Sequence, residues 1–167
     1  MPISRYEANM EPGAAKGGDG GSARRAEQAV LAGYRLDEQV GFLLRRALQR
    51  HLRIFSADMP GGLTPRQFAA LAKLAEVGPC SQNLLGRHTA MDAATIKGVV
   101  DRLRRAGYVV RERDPHDSRR RLVQLTTAGV ALLARAVPAA RRITERTLDG
   151  LDREERRVLI ELLRRIG

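Results

Sequence analysis

The 167-residue chain carries 30 Lys and Arg against 19 Asp and Glu, a formal net charge of +11. That length is one domain's worth with room for a buried core, and that charge implies a polyanionic partner or a solvated basic surface. A single cysteine excludes an intramolecular disulfide framework, no Cys/His cluster has zinc spacing, and no apolar run is long enough to span a bilayer.

Residues 1 to about 21 are rich in Gly and small or polar residues without periodicity, which predicts disorder. They lack the charged-then-apolar pattern of a signal peptide, so the expected location is the cytoplasm. Ser22 to about Ala32 predicts a short helix capped by Ser22 and stopped at Gly33, so residues 1–33 read as a disordered or partly helical tail. From Asp37 to about Ser56, Val40, Leu43, Leu44, Ala47, Leu48, His51, Leu52 and Phe55 mark one stripe of an amphipathic helix. Asp58-Met59-Pro60-Gly61-Gly62 breaks it. Thr64-Pro65 then starts a helix, with the hydroxyl at the N-cap and proline where its missing N–H costs nothing; Gly78-Pro79 stops it.

The stretch from Cys80 to Leu125 predicts a short helix capped by Ser81, a tight turn, a second helix from about Asp92 to the Gly107 stop, and an Arg-studded two-stranded hairpin. That order is a winged helix-turn-helix, a reader of double-stranded DNA. Ile96, Val99, Val100 and Leu103 form the inner face of the second helix. Opposite them, Ala94 and Gly98 permit close approach to a groove, flanked by Thr95, Lys97 and Arg102. Ser81 and Gln82, at the start of the first helix, join these as candidate DNA contacts. Asp101 is an acid on a face expected to meet phosphate, so it is expected to pair with Arg104 or Arg105, or to stabilise the wing. The wing is basic, with Arg111, Arg113, Arg119, Arg120 and Arg121 outnumbering Glu112, Asp114 and Asp117.

Thr126 caps a long helix to about Gly150, with Pro138 predicting a kink or a break into two helices. Asp152 and Glu155 have capping-box spacing, and Leu151, Val158, Leu159, Leu162, Leu163 and Ile166 give the last helix an apolar face. So wide a stripe needs a partner, and a second copy is the natural one. Two-fold dimers match pseudo-palindromic sites with half-sites about 34–36 Å apart.

Three stretches carry a resemblance to the MarR family of bacterial transcriptional regulators, spanning about Leu36 to Ile166. Leu63-Thr64-Pro65-Arg66-Gln67-Phe68-Ala69-Ala70-Leu71 is similar to its second helix, and Val100-Asp101-Arg102-Leu103 through Gly107 to the end of its recognition helix. Asp114-Pro115-His116-Asp117-Ser118-Arg119-Arg120 to Leu125-Thr126-Thr127-Ala128-Gly129 is similar to its wing signature. The resemblance implies a mainly α fold with a small β-hairpin wing. It implies a DNA-binding winged helix over 64–125 within a domain of 34–167, and dimerisation helices over 36–56 and 127–166. It further implies a homodimer at the bacterial nucleoid whose Arg119 enters a minor groove, oriented by a salt bridge from Asp117, with Arg111 and Arg120 beside it. The alternative is that Asp117–Arg119 only stiffens the loop.

A narrower resemblance, through Leu36–Leu44, Gly78–Asn83 and Met91–Leu103, is to repressors of nicotinate degradation, which respond to 6-hydroxynicotinate. It implies release from a pseudo-palindromic operator by a small aromatic carboxylate. Arg46 and Arg50 are candidate cations for that acid, and His51, Phe55 and Gln67 candidate walls, although a lone His on an apolar stripe is more often a satisfied core residue. Cys80 lies near a helix N-terminus, which lowers a thiol's pKa, leaving a redox-responsive regulator as one alternative. An effector-independent architectural DNA-binding protein is the other. No nucleophile–base constellation, phosphate-cradling loop or catalytic acid pair appears, so neither an enzyme nor a cofactor is expected.

Overall fold

Side-chain caps fix where five of the helices begin. The computed structural model describes residues 20–117 and 119–167. In it the oxygens of Thr64, Ser81, Asp92, Thr126 and Asp152 each accept from the backbone N–H three residues on. Gln67 and Glu155 return the bond to the capping residue's own N–H, completing two capping boxes. The helices are α1 Gly20–Val30, α2 Val40–Asp58, α3 Pro65–Val77, α4 Gln82–His88, α5 Ala93–Arg105, α6 Thr127–Thr147 and α7 Arg153–Ile166. The strands are β1 Cys80–Ser81, β2 Val109–Arg113 and β3 Arg121–Leu125. The predicted tail before residue 20 lies outside the described residues. None of the described helices is long and apolar enough to cross a membrane.

The described residues fall into two compact units, divided between Leu43 and Leu44. The first contains α1, a 3-10 turn at Leu36–Glu38 and the start of α2; Val30, Leu31, Tyr34, Leu36 and Val40 are exposed there. The second holds the core. Leu71, Leu85, Ile96, Val99, Val100, Leu103, Val109, Val123 and Ile143 are almost wholly buried, each burial contributing roughly 1.5–3 kcal/mol before chain entropy. The inner face of α5 is the predicted one: Ile96, Val99, Val100 and Leu103 all lie in this core.

Some expectations need correcting: Ser22 lies inside α1, which already begins at Gly20, and α2 begins at Val40, after the 3-10 turn, and not at Asp37. The wing is the expected hairpin of β2 and β3, and β1 adds a third strand to it, giving an antiparallel sheet in the order β1-β3-β2. Cys80 pairs with Val123 and Ser81 with Leu122, so Ser81 serves both as a strand residue and as the cap of α4. Two residues carry no period, and only the arrival of β3 beside them makes a strand. Of the two outcomes expected at Pro138, the break does not occur, since α6 runs unbroken from Thr127 to Thr147. Pro138 and Ala134, whose carbonyl loses its helical donor, are both exposed, so water can replace that donor.

The exit from α5 is built tightly onto α6. Gly107 takes φ 76°, and the N–H groups of Gly107 and Tyr108 bond the carbonyls of Arg104 and Leu103, a Schellman stop. The Thr126 hydroxyl donates to the Gly107 carbonyl (2.7 Å) and accepts from the Gly129 N–H (3.0 Å). Its own N–H donates to the Tyr108 carbonyl at 3.1 Å. One threonine thus joins the end of α5 to the start of α6.

Candidate nucleic-acid interface

The turn between α4 and α5 depends on close backbone approach. The Met91 N–H donates to the Gly86 carbonyl (2.9 Å), and the Thr89 hydroxyl to the Leu85 carbonyl (2.7 Å). Ala90 passes through the left-handed region at φ 51°. A Cβ on Gly86 would meet the Met91 carbonyl at 3.0 Å and Ile96 at 3.1 Å, so glycine keeps α4 and α5 in contact. Asp92 then starts α5, its carboxylate accepting from the Thr95 N–H and the Thr95 hydroxyl, each at 2.8 Å. Those bonds, the backbone one foremost, hold the Asp92 carboxyl below its usual range. A lowered folded-state value means this cap stabilises above the unfolded carboxylate's pKa of 3.8 and is lost as pH falls through the folded one.

Ala94, Lys97 and Arg102 lie exposed along the outer face of α5, with Gly98 half-buried among them. Arg102 folds back over Gly98, and a Cβ there would lie 3.6 Å from Arg102 Nη2, ordinary contact with the end of a flexible side chain. Gly98→Ala should therefore raise stability by about 0.5–1 kcal/mol, because glycine is a poor helix former. The same methyl should weaken DNA binding if this face enters a groove. Thermal melts and gel shifts on one preparation check the opposite signs; a variant that gains stability and binds normally refutes close approach at Gly98.

Thr95 and Asp101 are less free than their spacing suggests. The Thr95 hydroxyl proton is spent on Asp92. Asp101 does not pair with Arg104 or Arg105 but lies 3.1 Å from Arg111 of β2, the wing-stabilising option. Arg111 also donates to Gln82 Oε1 at 2.5 Å, so two candidate DNA contacts bond each other.

The wing loop is organised by its acids. Asp114 accepts from the His116 N–H at 2.9 Å, and Asp117 Oδ1 from the Arg119 N–H at 3.0 Å. The Asp117 carbonyl accepts from the Arg120 N–H at 2.9 Å. The ion pair among the described wing residues is Arg120–Asp114, at 3.6 Å. The expected Asp117–Arg119 salt bridge is therefore replaced by a bond to the Arg119 backbone. An aspartate two residues back closes an Asx turn at lower entropic cost than it holds a long guanidinium. Arg119 and Arg120 remain exposed.

Of the five effector candidates, His51 and Phe55 are in ring contact, while Arg50 and Gln67 bond elsewhere. Phe55 lines an apolar cavity of about 290 Å³ with Leu52, Met59, Leu63 and Pro65, and the hydroxyl-bearing Ser56 and Thr64. Arg50 borders a separate polar cleft of about 330 Å³ with Arg53, Arg146 and Asp149, and donates to the Arg146 carbonyl at 3.1 Å. His51 Nδ1 is 3.0 Å from the Thr147 hydroxyl, and its ring centre is 5.9 Å from that of Phe55. Gln67 Oε1 accepts from the Thr64 N–H within the α3 cap. Arg46 is exposed on α2. Cys80 is buried, and desolvation pushes its thiol pKa up, the reverse of what a helix N-terminus does.

Residues 61–120 match the sequence model of the MarR family. Over 134 residues the chain is 43% identical to the HTH-type transcriptional repressor NicR of Pseudomonas putida, covering 80% of this chain and 85% of NicR. The chain belongs to the MarR family. A probable transcriptional regulator from Pseudomonas aeruginosa is 52% identical, covering 80% of this chain and all of its own at a TM-score of 0.78. Bordetella bronchiseptica BpsR, whose DNA binding is regulated by 6-hydroxynicotinic acid, is 43% identical, covering 80% and 96% of the two chains at a TM-score of 0.76.

As a MarR-family transcriptional regulator, the chain has the winged helix with which that family binds DNA. The sequence offered the wing as one place for Asp101 to act but named neither Arg111 nor Gln82 as its partners. The available signal was Asp101 itself, an acid on a basic face. Its partner lies ten residues on, across a turn, where helical spacing names no individual residue.

Proposed function

We propose that the chain is a homodimeric repressor that holds a pseudo-palindromic operator and releases it when a small hydroxylated aromatic carboxylate binds. The observation that carries this reading is the 43% identity, over 80% of this chain, to a regulator whose DNA binding responds to 6-hydroxynicotinic acid. Its physical support is a cavity of about 290 Å³ beside α2, lined mostly by apolar residues together with Ser56 and Thr64, which suits a flat ring with one polar edge. Dimerisation is supported by large apolar residues left exposed on α7 (Val158, Ile160, Leu162, Leu163 and Ile166) and on α2 (Leu44, Leu48 and Leu52). In this reading residues 64–125 contact DNA, while 36–56 and 127–166 pair the subunits.

Ser81, Gln82, Ala94, Thr95, Lys97, Gly98, Arg102, Arg111, Asp117, Arg119 and Arg120 form or support the DNA face in this reading. The effector acts by binding one conformer of the dimer better than the other, since only differential affinity shifts such an equilibrium. The test is binding to the DNA directly upstream of the chain's own coding sequence, with 6-hydroxynicotinate and other aromatic carboxylates added, and mass measured by light scattering. A dimer that prefers this DNA to a shuffled duplex and releases it with one of the acids is expected. Equal affinity for both duplexes sinks sequence-specific repression, and a monomer sinks the dimer. If no acid causes release or raises the melting temperature, the sensing half fails.

A further inference from the structure

Arg111 occupies the wrong side of the sheet for a free DNA-binding arginine. It stands two residues after Val109 on β2 and pairs across with Val123, whose other neighbour is Cys80. Because side chains alternate along a strand, Arg111 shares a face with Val109, Val123 and Cys80, all buried. Its side chain is 29% exposed and that of Asp101 30%. One nitrogen, Nη2, lies 2.5 Å from Gln82 Oε1 and 3.1 Å from Asp101 Oδ1, so α4, α5 and β2 meet at a single atom.

We propose that Arg111 is a positioning residue and not a phosphate contact: it ties the wing strand to the recognition helix and turns the Gln82 amide so that its NH₂ faces the DNA backbone. The proposal rests on the DNA-reading assignment of α4 and α5. Two pieces of chemistry carry it. The guanidinium charge is already matched by Asp101, so Arg111 has little left with which to displace counterions from DNA. The Gln82 carbonyl oxygen is spent on Arg111, which leaves the donor end of the amide free at the first residue of α4. Asp101, awkward on a phosphate-facing helix, becomes the anchor that holds the other two in place.

The experiment measures affinity for the chain's own upstream duplex between about 50 and 200 mM salt, with melting temperatures in parallel. Arg111→Gln should weaken binding about tenfold or more while the slope of log affinity against log salt stays that of the wild type. Asp101→Asn combined with Arg111→Gln should recover at least half of that loss on a log scale, because no acid is then left unpaired beside phosphate. Adding Gln82→Ala to Arg111→Gln should lose nothing further, the amide having already lost its orientation. Should Arg111→Gln melt too low to assay, Arg111→Lys carries the same decision. It keeps the charge, but its shorter side chain falls short of the place Nη2 occupies between the two acceptors, so it should bind weakly with an unchanged slope. A slope shallower by about 0.9 in Arg111→Gln, wild-type affinity in Arg111→Lys, or losses that simply add would each overturn the proposal. A wild-type chain that binds no duplex overturns the DNA reading and this proposal with it.

Discussion

Gly129→Ala is expected to destabilise the protein by about 3 kcal/mol or more, read as a fall of roughly 6–12 °C in melting temperature. A Cβ at this position would lie 2.1 Å from the Tyr108 carbonyl oxygen and 3.0 Å from its carbon. Both are backbone atoms, so no side-chain rotation relieves the clash. Nor can the carbonyl retreat, because it accepts from the Thr126 N–H at 3.1 Å, and the Tyr108 N–H is held by Leu103 at 3.0 Å. Moving α6 outward instead breaks the bonds of the Thr126 hydroxyl to the Gly107 carbonyl and of the Thr126 N–H to the Tyr108 carbonyl. Gly41→Ala is the control, since a Cβ there meets nothing within 4 Å and its φ is not positive. If both variants melt like the wild type, the close approach of α6 to the α5 exit is wrong. Because the same joint links the recognition helix to α6, Gly129→Ala should also weaken DNA binding at temperatures where the variant remains folded.

The second large effect is expected in the wing. Arg119→Ala should weaken DNA binding about 10- to 100-fold and make the slope of log affinity against log salt shallower by about 0.9. Arg119 is exposed at the loop that carries it, and its backbone N–H, not its guanidinium, is tied to Asp117. A guanidinium without an acid beside it is drawn to the concentrated negative potential of a narrow minor groove. The geometry makes a finer distinction as well. Asp117→Asn keeps the acceptor oxygen that closes the turn, so it should bind DNA within about threefold of the wild type. A salt bridge to Arg119 would instead make that variant as weak as Arg119→Ala. Unchanged affinity and slope in Arg119→Ala would remove the wing from the interface.

How much of this was legible beforehand follows from the range of the forces involved. Thr64, Ser81, Asp92, Thr126 and Asp152 were readable as helix starts because a cap bonds an N–H only three residues away. The inner face of α5 was readable because its burial repeats with the helix period. The pairing of Cys80 with Val123 was not, since its two members are 43 positions apart and two residues make no pattern. For the same reason His51 gave no sign of Thr147, nor Arg50 of the Arg146 carbonyl. Periodicity on α2 placed His51 and Phe55 on one stripe, and their rings do meet, but the packing of α6 ties Arg50 to Arg146 and His51 to Thr147.

The chain alone therefore determined five helix starts, the buried stripe of the recognition helix, the basic wing and the family. Each of these is written in neighbouring residues. Only the tertiary structure decided that Arg111 closes on Gln82 and Asp101, that Asp117 holds the backbone of Arg119 and not its charge, and that Gly129 must be glycine. Charged side chains choose among several partners of equal sequence plausibility, and the choice is made by which backbone segments the core brings within about 3 Å of each other.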